Sequence, residues 1–198
     1  HYLNKGLLKK EGQTYIQMWH GSFGIKKIEG NCGYLNEDKA WTTLAKKNAE
    51  YTDYWISNSS FETGVYRDAF WGAGEILEYG HPRNDIFWAA SDEVTEKVRN
   101  FYGLKEEKVV FYVPTFRDQD KSDVAKLRVE ELLVSLQKRF GGEWIFAVRR
   151  HPRMKREEVG CYVQDLETML QAGKVCDMTE YPDIQELLAA SDVVLTDY

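Results

Sequence analysis

Continuous apolar runs, separated by helix-like segments, constrain the fold of this chain more than any other feature. Val109–Val113 (VVFYV) and Trp144–Val148 (WIFAV) contain no charged residue, and strands of this kind are typically buried on both faces of a parallel sheet. Between them, 124–140 repeats apolar residues at helical spacing, which predicts an amphipathic helix with Leu127 on its inward face. Strands that alternate with helices predict right-handed βαβ units and therefore an α/β fold.

The same alternation extends over the rest of the chain. The predicted strands are 14–19, 54–57, 76–79, 109–113, 144–148, 174–177 and 192–196. The predicted helices are 37–50 (capped by Asn36), a helix ending near Phe70 after the candidate caps Asn58 to Ser60, 91–102, 124–140, 164–171 and 182–190 (with Pro182 in its first turn). These elements form two groups. We therefore predict two Rossmann-like parallel-sheet domains, 1–88 and 89–198, which face each other across a cleft.

Composition limits the classes of function. The chain has 198 residues and a formal net charge of −6, which argues against a protein whose whole surface attracts nucleic acid but permits local basic patches. Its three cysteines are widely spaced, so neither a disulfide framework nor a zinc site is expected. No apolar run approaches the roughly 18 residues of a membrane span, so any membrane contact should be peripheral. The chain starts at His1 and stops directly after the apolar run VVLT, which suggests a truncated central fragment of a longer protein.

His20 follows the first predicted strand and precedes a glycine-rich turn. In an open α/β sheet, the carboxyl ends of the strands face the ligand crevice, and an imidazole there is suited to proton transfer near neutral pH. From this segment alone, a second interpretation has about equal weight: the ring could pack on Trp19 and hydrogen-bond to a loop carbonyl.

The other predicted strand ends are rich in groups that bind anions. These candidate residues are Arg83, Asn84, Thr115, Arg117, Arg150, His151 and Asp197. The forked donors of arginine match phosphate oxygens, so the pattern favours phosphate chemistry. The chain has no P-loop, no G-x-G-x-x-G motif after a strand and no G-x-S-x-G motif. Asp118, Asp120 and Asp123 could hold a metal, but we predict no metal and no cofactor, since carboxylates in loops serve solubility more often.

Five segments, in order, resemble motifs of the CDP-glycerol glycerophosphotransferase family, the polymerases and primases of teichoic acid synthesis. They are WHGSFGIKK (19–27), GHPRND (80–85), VPTFRD (113–118), RRHP (149–152) and DIQELLAASDVVLTDY (183–198). The resemblance implies a GT-B-like architecture with the active site between the two domains, 1–88 on the acceptor side and 89–198 on the donor side. It implies transfer of glycerol phosphate from CDP-glycerol to a lipid-linked polyol-phosphate acceptor, with release of CMP.

The resemblance also implies residue roles. His20 and His151 match the family's essential histidines, while Arg83, Asn84, Thr115 and Arg117 match its donor-binding positions. From the chemistry we expect His20 to act as the base, and Arg150 and Arg117 to help His151 stabilise the pyrophosphate. We include Asp197 as a further substrate-binding candidate. We expect the enzyme at the cytoplasmic face of a bacterial membrane, where Lys5, Lys9, Lys10, Lys26 and Lys27 could meet anionic lipid.

Three departures from the family pattern are visible. Phe23 and Gly24 replace the usual Pro-Leu pair, and His81 stands where an aromatic residue is common, which suggests a packing or surface role for it. The serine pair that follows T-D-Y in the family is missing after Tyr198, so we expect the fragment alone to bind the donor weakly or not at all and to be inactive. Two other interpretations stay open: a ribitol-phosphate transferase that uses CDP-ribitol, and a non-catalytic module that binds nucleotides or polyanions.

Overall fold

The computed structural model describes residues 9–20, 27–33, 37–89, 91–114, 126–153, 160 and 162–196. The chain divides into two compact units, His1–Asp85 (unit 1) and Ile86–Tyr198 (unit 2). The division thus lies three residues before the predicted end of the first domain at residue 88. The assignment of the units to the acceptor and donor sides stays a prediction.

Unit 1 is built on a small parallel sheet. Its elements are β1 (Ile16–Gln17), a 3-10 turn (Glu29–Asn31), α1 (Lys39–Glu50), β2 (Tyr54–Ser57), α2 (Ser60–Ala69), β3 (Glu75–Glu78) and a second 3-10 turn (Pro82–Asn84). The strand order is β1-β2-β3, so β2 is central and Tyr54 pairs with both Ile16 and Glu75. All three strands therefore end at the same edge, the edge on which the candidate residues were expected.

The core of unit 1 is a cluster of aromatic rings against this sheet. Trp55 and Phe70 stack with ring centroids 3.7 Å apart, and Tyr66 meets both edge-on. The indole Nε1 of Trp55 donates to the carbonyl oxygen of Ala73 at 2.8 Å. Next to it, Gly74 has a φ of +74°, and a Cβ there would lie 2.7 Å from the carbonyl oxygen of Thr52, so glycine is required at this position.

Unit 2 has the larger sheet. Its elements are α3 (Ile86–Ala89), α4 (Ser91–Tyr102), β4 (Lys108–Val113), α5 (Val129–Phe140), β5 (Trp144–Val148), α6 (Leu166–Gln171), β6 (Val175–Asp177), α7 (Ile184–Ala189) and β7 (Val193–Thr196). The four strands are parallel in the order β6-β5-β4-β7. Among the described residues, no helix is both long and apolar enough to cross a bilayer.

Both faces of the unit 2 sheet are covered, as the apolar runs predicted. Val110 and Phe146 belong to one buried cluster, while Phe111 and Ala147, the next residues along each strand, belong to the other. Because successive side chains point to opposite faces of a strand, this alternation places one core on each side of the sheet. The central strands of unit 2, β4 and β5, are consequently buried over most of their length.

Three predicted helix starts in unit 2 are wrong. The helix expected from Gln164 begins at Leu166. The helix expected over 124–140 begins at Val129, and Leu127 instead forms an isolated parallel bridge with Val163. Its backbone exchanges hydrogen bonds with Tyr162 and Gln164, which a helical residue could not do. The helix expected from Pro182 begins at Ile184. Its cap is Asp183, whose side chain accepts from the backbone N–H of Gln185.

Two further predictions in unit 1 need correction. The cap of α1 is Asp38, whose carboxylate accepts from the backbone N–H of Trp41 at 3.0 Å, rather than Asn36, which lies outside the described residues. The first strand, expected over 14–19, pairs only at Ile16–Gln17. Trp19 has a φ of +53°, and this left-handed conformation turns the chain out of the sheet.

Candidate active site

His20 lies just beyond the carboxyl end of β1 and packs against its neighbour. The rings of Trp19 and His20 have centroids 4.5 Å apart at 31°, and Trp19 in turn meets Phe70 of the core edge-on at 5.1 Å. The backbone N–H of Trp19 donates to the side chain of Gln17, which holds the turn. His20 nevertheless remains exposed, so packing on Trp19 fixes the ring without removing it from solvent.

The electrostatic surroundings of His20 favour its neutral form. Partial loss of hydration lowers the pKa of His20, and the positive charge of Arg83 is a further cause. An imidazole with a lowered pKa keeps an unprotonated nitrogen at neutral pH, as a general base must. His20 follows β1 and Arg83 follows β3, so both come after the carboxyl ends of strands in the same parallel sheet.

Arg83 and Asn84 belong to the segment Gly80–Asp85, which follows β3. A 3-10 turn over Pro82–Asn84 is closed by the backbone N–H of Asn84, which donates to the carbonyl oxygen of His81 at 2.9 Å. The backbone N–H of Gly80 donates to the carbonyl oxygen of Ser57 at the end of β2, also at 2.9 Å. The side chain of Arg83 is exposed while that of His81 is buried. The segment therefore presents the arginine outward from a fixed backbone. Of the two roles predicted for His81, the surface role is excluded because its side chain is buried.

The residue that holds His81 was missed by the sequence reasoning. Nε2 of His81 lies 3.1 Å and 3.3 Å from the two carboxylate oxygens of Glu62, which is fully buried in the first turn of α2. The signal that could have found Glu62 is the pattern Ser-x-x-Glu at 59–62, a capping box. Ser59 indeed caps α2, and its hydroxyl accepts from the backbone N–H of Glu62 at 3.2 Å.

In unit 2, the two arginines after β5 point to different partners. Nη1 of Arg149 donates to the carbonyl oxygen of Tyr181 at 2.6 Å, so this side chain is a structural tie. Nε of Arg150 lies 3.6 Å from a carboxylate oxygen of Asp177 at the end of β6, and the backbone N–H of Arg150 donates to the hydroxyl of Thr179. Arg150 is therefore the arginine that stays at the carboxyl edge of the sheet, as predicted.

His151 has a defined hydrogen-bond geometry. Its Nδ1 accepts from the backbone N–H of Arg153 at 3.2 Å. A ring nitrogen that accepts carries no proton, so the neutral ring holds its proton on Nε2. The side chain is exposed. In this tautomer Nε2 is a donor, which suits contact with a phosphate oxygen, the role expected for His151.

The remaining candidates cannot be placed. Thr115, Arg117 and Asp197 lie outside the described residues, as do Asp118, Asp120 and Asp123. Strands β4 and β7, which precede these segments, end side by side because Val113 pairs with Thr196. Within the described part of the chain, no group of three or more histidine, cysteine, aspartate or glutamate residues could hold a metal.

The structure thus brings the candidates together in two sets. His20, Arg83 and Asn84 belong to the carboxyl edge of the unit 1 sheet, and Arg150 and His151 to the carboxyl edge of the unit 2 sheet. The convergence of the two histidines on one cleft stays a prediction. Two parallel α/β units with imidazole and guanidinium groups at their strand ends have the features of a GT-B-like transferase fold.

Comparison with known families agrees with this class. The whole chain, residues 1–198, matches the family described as CDP-Glycerol:Poly(glycerophosphate) glycerophosphotransferase. The chain therefore belongs to this family. One relative is the teichoic acid poly(glycerol phosphate) polymerase of Staphylococcus epidermidis, which is 32% identical over 100% of this chain and 27% of its own length.

Solved structures of the wall teichoic acid polymerase TagF have the same fold. A His-to-Ala variant superposes with a TM-score of 0.72 at 28% identity, over 97% of this chain and 47% of that one. A His-to-Asn variant soaked with CDPG superposes with a TM-score of 0.69 at 30% identity, over 97% of this chain and 45% of that one. The predicted α/β, GT-B-like fold class is confirmed by this similarity. The chain spans about half the length of these structures and about a quarter of the Staphylococcus epidermidis polymerase.

Proposed function

We propose that this protein transfers glycerol phosphate from CDP-glycerol to a lipid-linked polyol-phosphate acceptor in teichoic acid synthesis and releases CMP. The supporting observation is that both motif histidines follow the carboxyl ends of strands in a chain that matches the glycerophosphotransferase family from end to end. CDP-glycerol is a donor substrate rather than a cofactor, and the proposal requires no nucleic acid.

The reaction is a displacement at phosphorus. A terminal hydroxyl oxygen of the acceptor attacks the β-phosphorus of CDP-glycerol, which forms the new phosphodiester bond. The bond from this phosphorus to the bridging oxygen breaks, and its electron pair leaves with CMP. His20 takes the proton of the attacking hydroxyl, a role for which its neutral form is required. Positioned proton transfer of this kind contributes about 10² to 10⁴ in rate.

Residues of unit 2 stabilise the charge that develops on the departing phosphate. His151 donates through Nε2, and Arg150 adds a guanidinium that is already held near Asp177. Groups that are oriented before the reaction need little reorganisation when charge develops, which is the main source of electrostatic catalysis. Arg117 supports them, and Arg83, Asn84, Thr115 and Asp197 bind the donor.

A lipid-linked acceptor places the enzyme at the cytoplasmic face of the membrane as a peripheral protein. The five lysines Lys5, Lys9, Lys10, Lys26 and Lys27 were expected to face anionic lipid, but the side chain of Lys9 is bound within unit 1. Its Nζ lies 2.5 Å from the carboxylate of Asp53 and 3.3 Å from the carbonyl oxygen of Tyr51. Lys10 and Lys27 are exposed and stay in the proposed lipid-facing set, with Lys5 and Lys26, which lie outside the described residues.

The decisive experiment measures CMP release by the full-length protein with a lipid-linked glycerol phosphate acceptor. CDP-glycerol and CDP-ribitol are compared as donors, and the double variant His20→Ala/His151→Ala is the control. We expect release with CDP-glycerol that the control abolishes. Release with CDP-ribitol alone would make the protein a ribitol-phosphate transferase. Donor binding with no release under any condition would make it a binding module.

A further inference from the structure

The buried carboxylate of Glu62 contacts three polar groups of unit 1. Its Oε2 accepts from the backbone N–H of Asn58 at 2.6 Å, and its Oε1 accepts from the hydroxyl of Tyr66 at 3.0 Å. Nε2 of His81 lies 3.1 Å from Oε2. Glu62 has no exposed surface and His81 is only 3% exposed. The carboxylate therefore sits within a closed set of donors.

These donors differ in what they connect. Asn58 and Tyr66 are each four residues from Glu62, so their bonds stabilise only the start of α2. His81 is 19 residues away, beyond β3. A buried carboxylate is costly unless donors satisfy it, and removal of one donor leaves an uncompensated buried charge. The Glu62–His81 contact is thus a strong tie between the first turn of α2 and the segment Gly80–Asp85.

The second nitrogen of His81 shows which contact matters. Nδ1 is buried and has no hydrogen-bond partner among the described residues, and an unsatisfied buried polar group is destabilising. An aromatic hydrocarbon ring would fill the same space without this cost. The histidine is therefore explained by the bond that Nε2 makes to Glu62, rather than by filling of space.

The Glu62–His81 contact is connected through the backbone to the candidate donor-binding residues Arg83 and Asn84. The carbonyl oxygen of His81 accepts from the N–H of Asn84 and so closes the Pro82–Asn84 turn. We propose that Glu62 is a positioning residue that acts through His81 to fix this turn, and with it Arg83 and Asn84, for binding of the donor phosphate. This inference rests on the proposed function, because it takes the donor to be CDP-glycerol.

The test compares two variants that each remove one donor from the same carboxylate. His81→Phe removes the donor in the Gly80–Asp85 segment, and Tyr66→Phe removes the donor within α2. In the full-length protein, we expect His81→Phe to raise KM for CDP-glycerol about tenfold, as expected when a hydrogen bond to a charged group is lost. We expect Tyr66→Phe to leave KM within about twofold, although it loses a bond of the same type to the same buried group.

The double variant Glu62→Gln/His81→Phe tests whether the pair acts as a unit. Residues in direct contact show non-additive effects, so we expect its KM to rise no further than that of the worse single variant. An additive increase would overturn the proposal. An equal KM increase in Tyr66→Phe would also overturn it, since the effect would then follow general loss of stability.

Hydrogen exchange of the Gly80–Asp85 amides gives a measurement that does not depend on turnover. We expect faster exchange at Asn84 in His81→Phe and Glu62→Gln, with no change in Tyr66→Phe. Unchanged exchange in the first two variants would overturn the positioning role. If the wild-type protein released no CMP, the proposed function would fail, while the exchange measurement would still decide whether Glu62 holds the turn.

Discussion

The two units fix their strand-end turns by different physical means. In unit 1, the turn that carries Arg83 is tied to a carboxylate with no exposed surface. In unit 2, Arg150 is held by Asp177, whose side chain is 29% exposed, and by the hydroxyl of Thr179. A buried tie cannot shift without disturbing the core, whereas a partly solvated ion pair is weaker and can rearrange when a substrate binds. The turn of unit 1 is thus held more firmly, whereas Arg150 of unit 2 is oriented but can still adjust.

The largest effect should come from the proposed base, His20, in the more firmly held unit 1. We expect His20→Ala in the full-length protein to lower kcat for CMP release by about 10² to 10⁴, the usual contribution of general base catalysis. Steady-state assay with saturating CDP-glycerol measures this, and circular dichroism checks that the variant is folded. Near-normal turnover in a folded variant would show that another group takes the proton.

The contrast between the cores predicts a loss of stability that is confined to one unit. Trp55→Ala removes a ring stacked on Phe70 and leaves a cavity in a core whose other large buried residues, among those described, are Tyr66 and Phe70. We expect a loss of about 3 to 5 kcal/mol, as for other buried large-to-small changes. Phe146→Ala is the counterpart in unit 2. Limited proteolysis should cut Trp55→Ala within 1–85 and Phe146→Ala within 86–198, and identical cleavage patterns would contradict separate cores.

A smaller effect should separate the two nitrogens of His151. Asn places an acceptor near the position of Nδ1, so His151→Asn can keep the bond from the N–H of Arg153 while it loses Nε2. Gln places a donor near the position of Nε2. If the Nε2 donor stabilises the leaving phosphate, we expect His151→Gln to retain about tenfold more kcat than His151→Asn, which is near 1.4 kcal/mol. The reverse order would assign the role to Nδ1.

The smallest effect should be a pH dependence of stability. One carboxylate in each unit, Asp53 in unit 1 and Glu186 in unit 2, should cause it. Hydrogen bonds from Lys9 and Tyr15 lower the pKa of Asp53, and hydrogen bonds from Lys97 and Tyr181 lower the pKa of Glu186. Each contributes stability that is present above its usual pKa, 3.8 or 4.5, and lost as pH falls through the lower folded value.

Urea denaturation of Asp53→Asn and Glu186→Gln against wild type, at pH 6 and pH 3, measures this dependence. We expect both variants to be less stable than wild type at pH 6 and to approach it at pH 3. Variants that differ from wild type equally at both pH values would contradict the lowered pKa of these groups.

The sequence predicted elements best where burial alone decides them. Trp144–Val148 and Ser91–Tyr102 have the predicted bounds, since one is a continuous apolar run and the other has an acidic first turn and a glycine stop. Leu127 was assigned to a helix because periodicity cannot recognise a bridge to Val163, which lies 36 residues later. The strand at Ile16–Gln17 is short because Trp19 turns out of it, a backbone choice with no clear residue signal.

In the candidate site, too, the sequence predicted local features but not contacts between residues that are distant in the chain. The positions of His20, Arg83, Asn84, Arg150 and His151 at strand ends followed from the order of strands and turns. The partners of these residues did not, because Glu62 reaches His81 and Asp177 reaches Arg150 only after the sheets have formed. Local spacing contains no information about contacts of this kind, although the capping box at Ser59 marks Glu62 as a residue to examine.

The strand order in unit 2 has a consequence for synthesis on the ribosome. β4 pairs with both β5 and β7, and β7 is made more than 80 residues after β4. Until then one long edge of an apolar strand has no neighbour, and such edges invite pairing with other chains. Unit 1, whose three described strands are made before residue 79, can fold during that interval. We therefore expect nascent chains released before Val193 to aggregate through β4, with unit 1 already native.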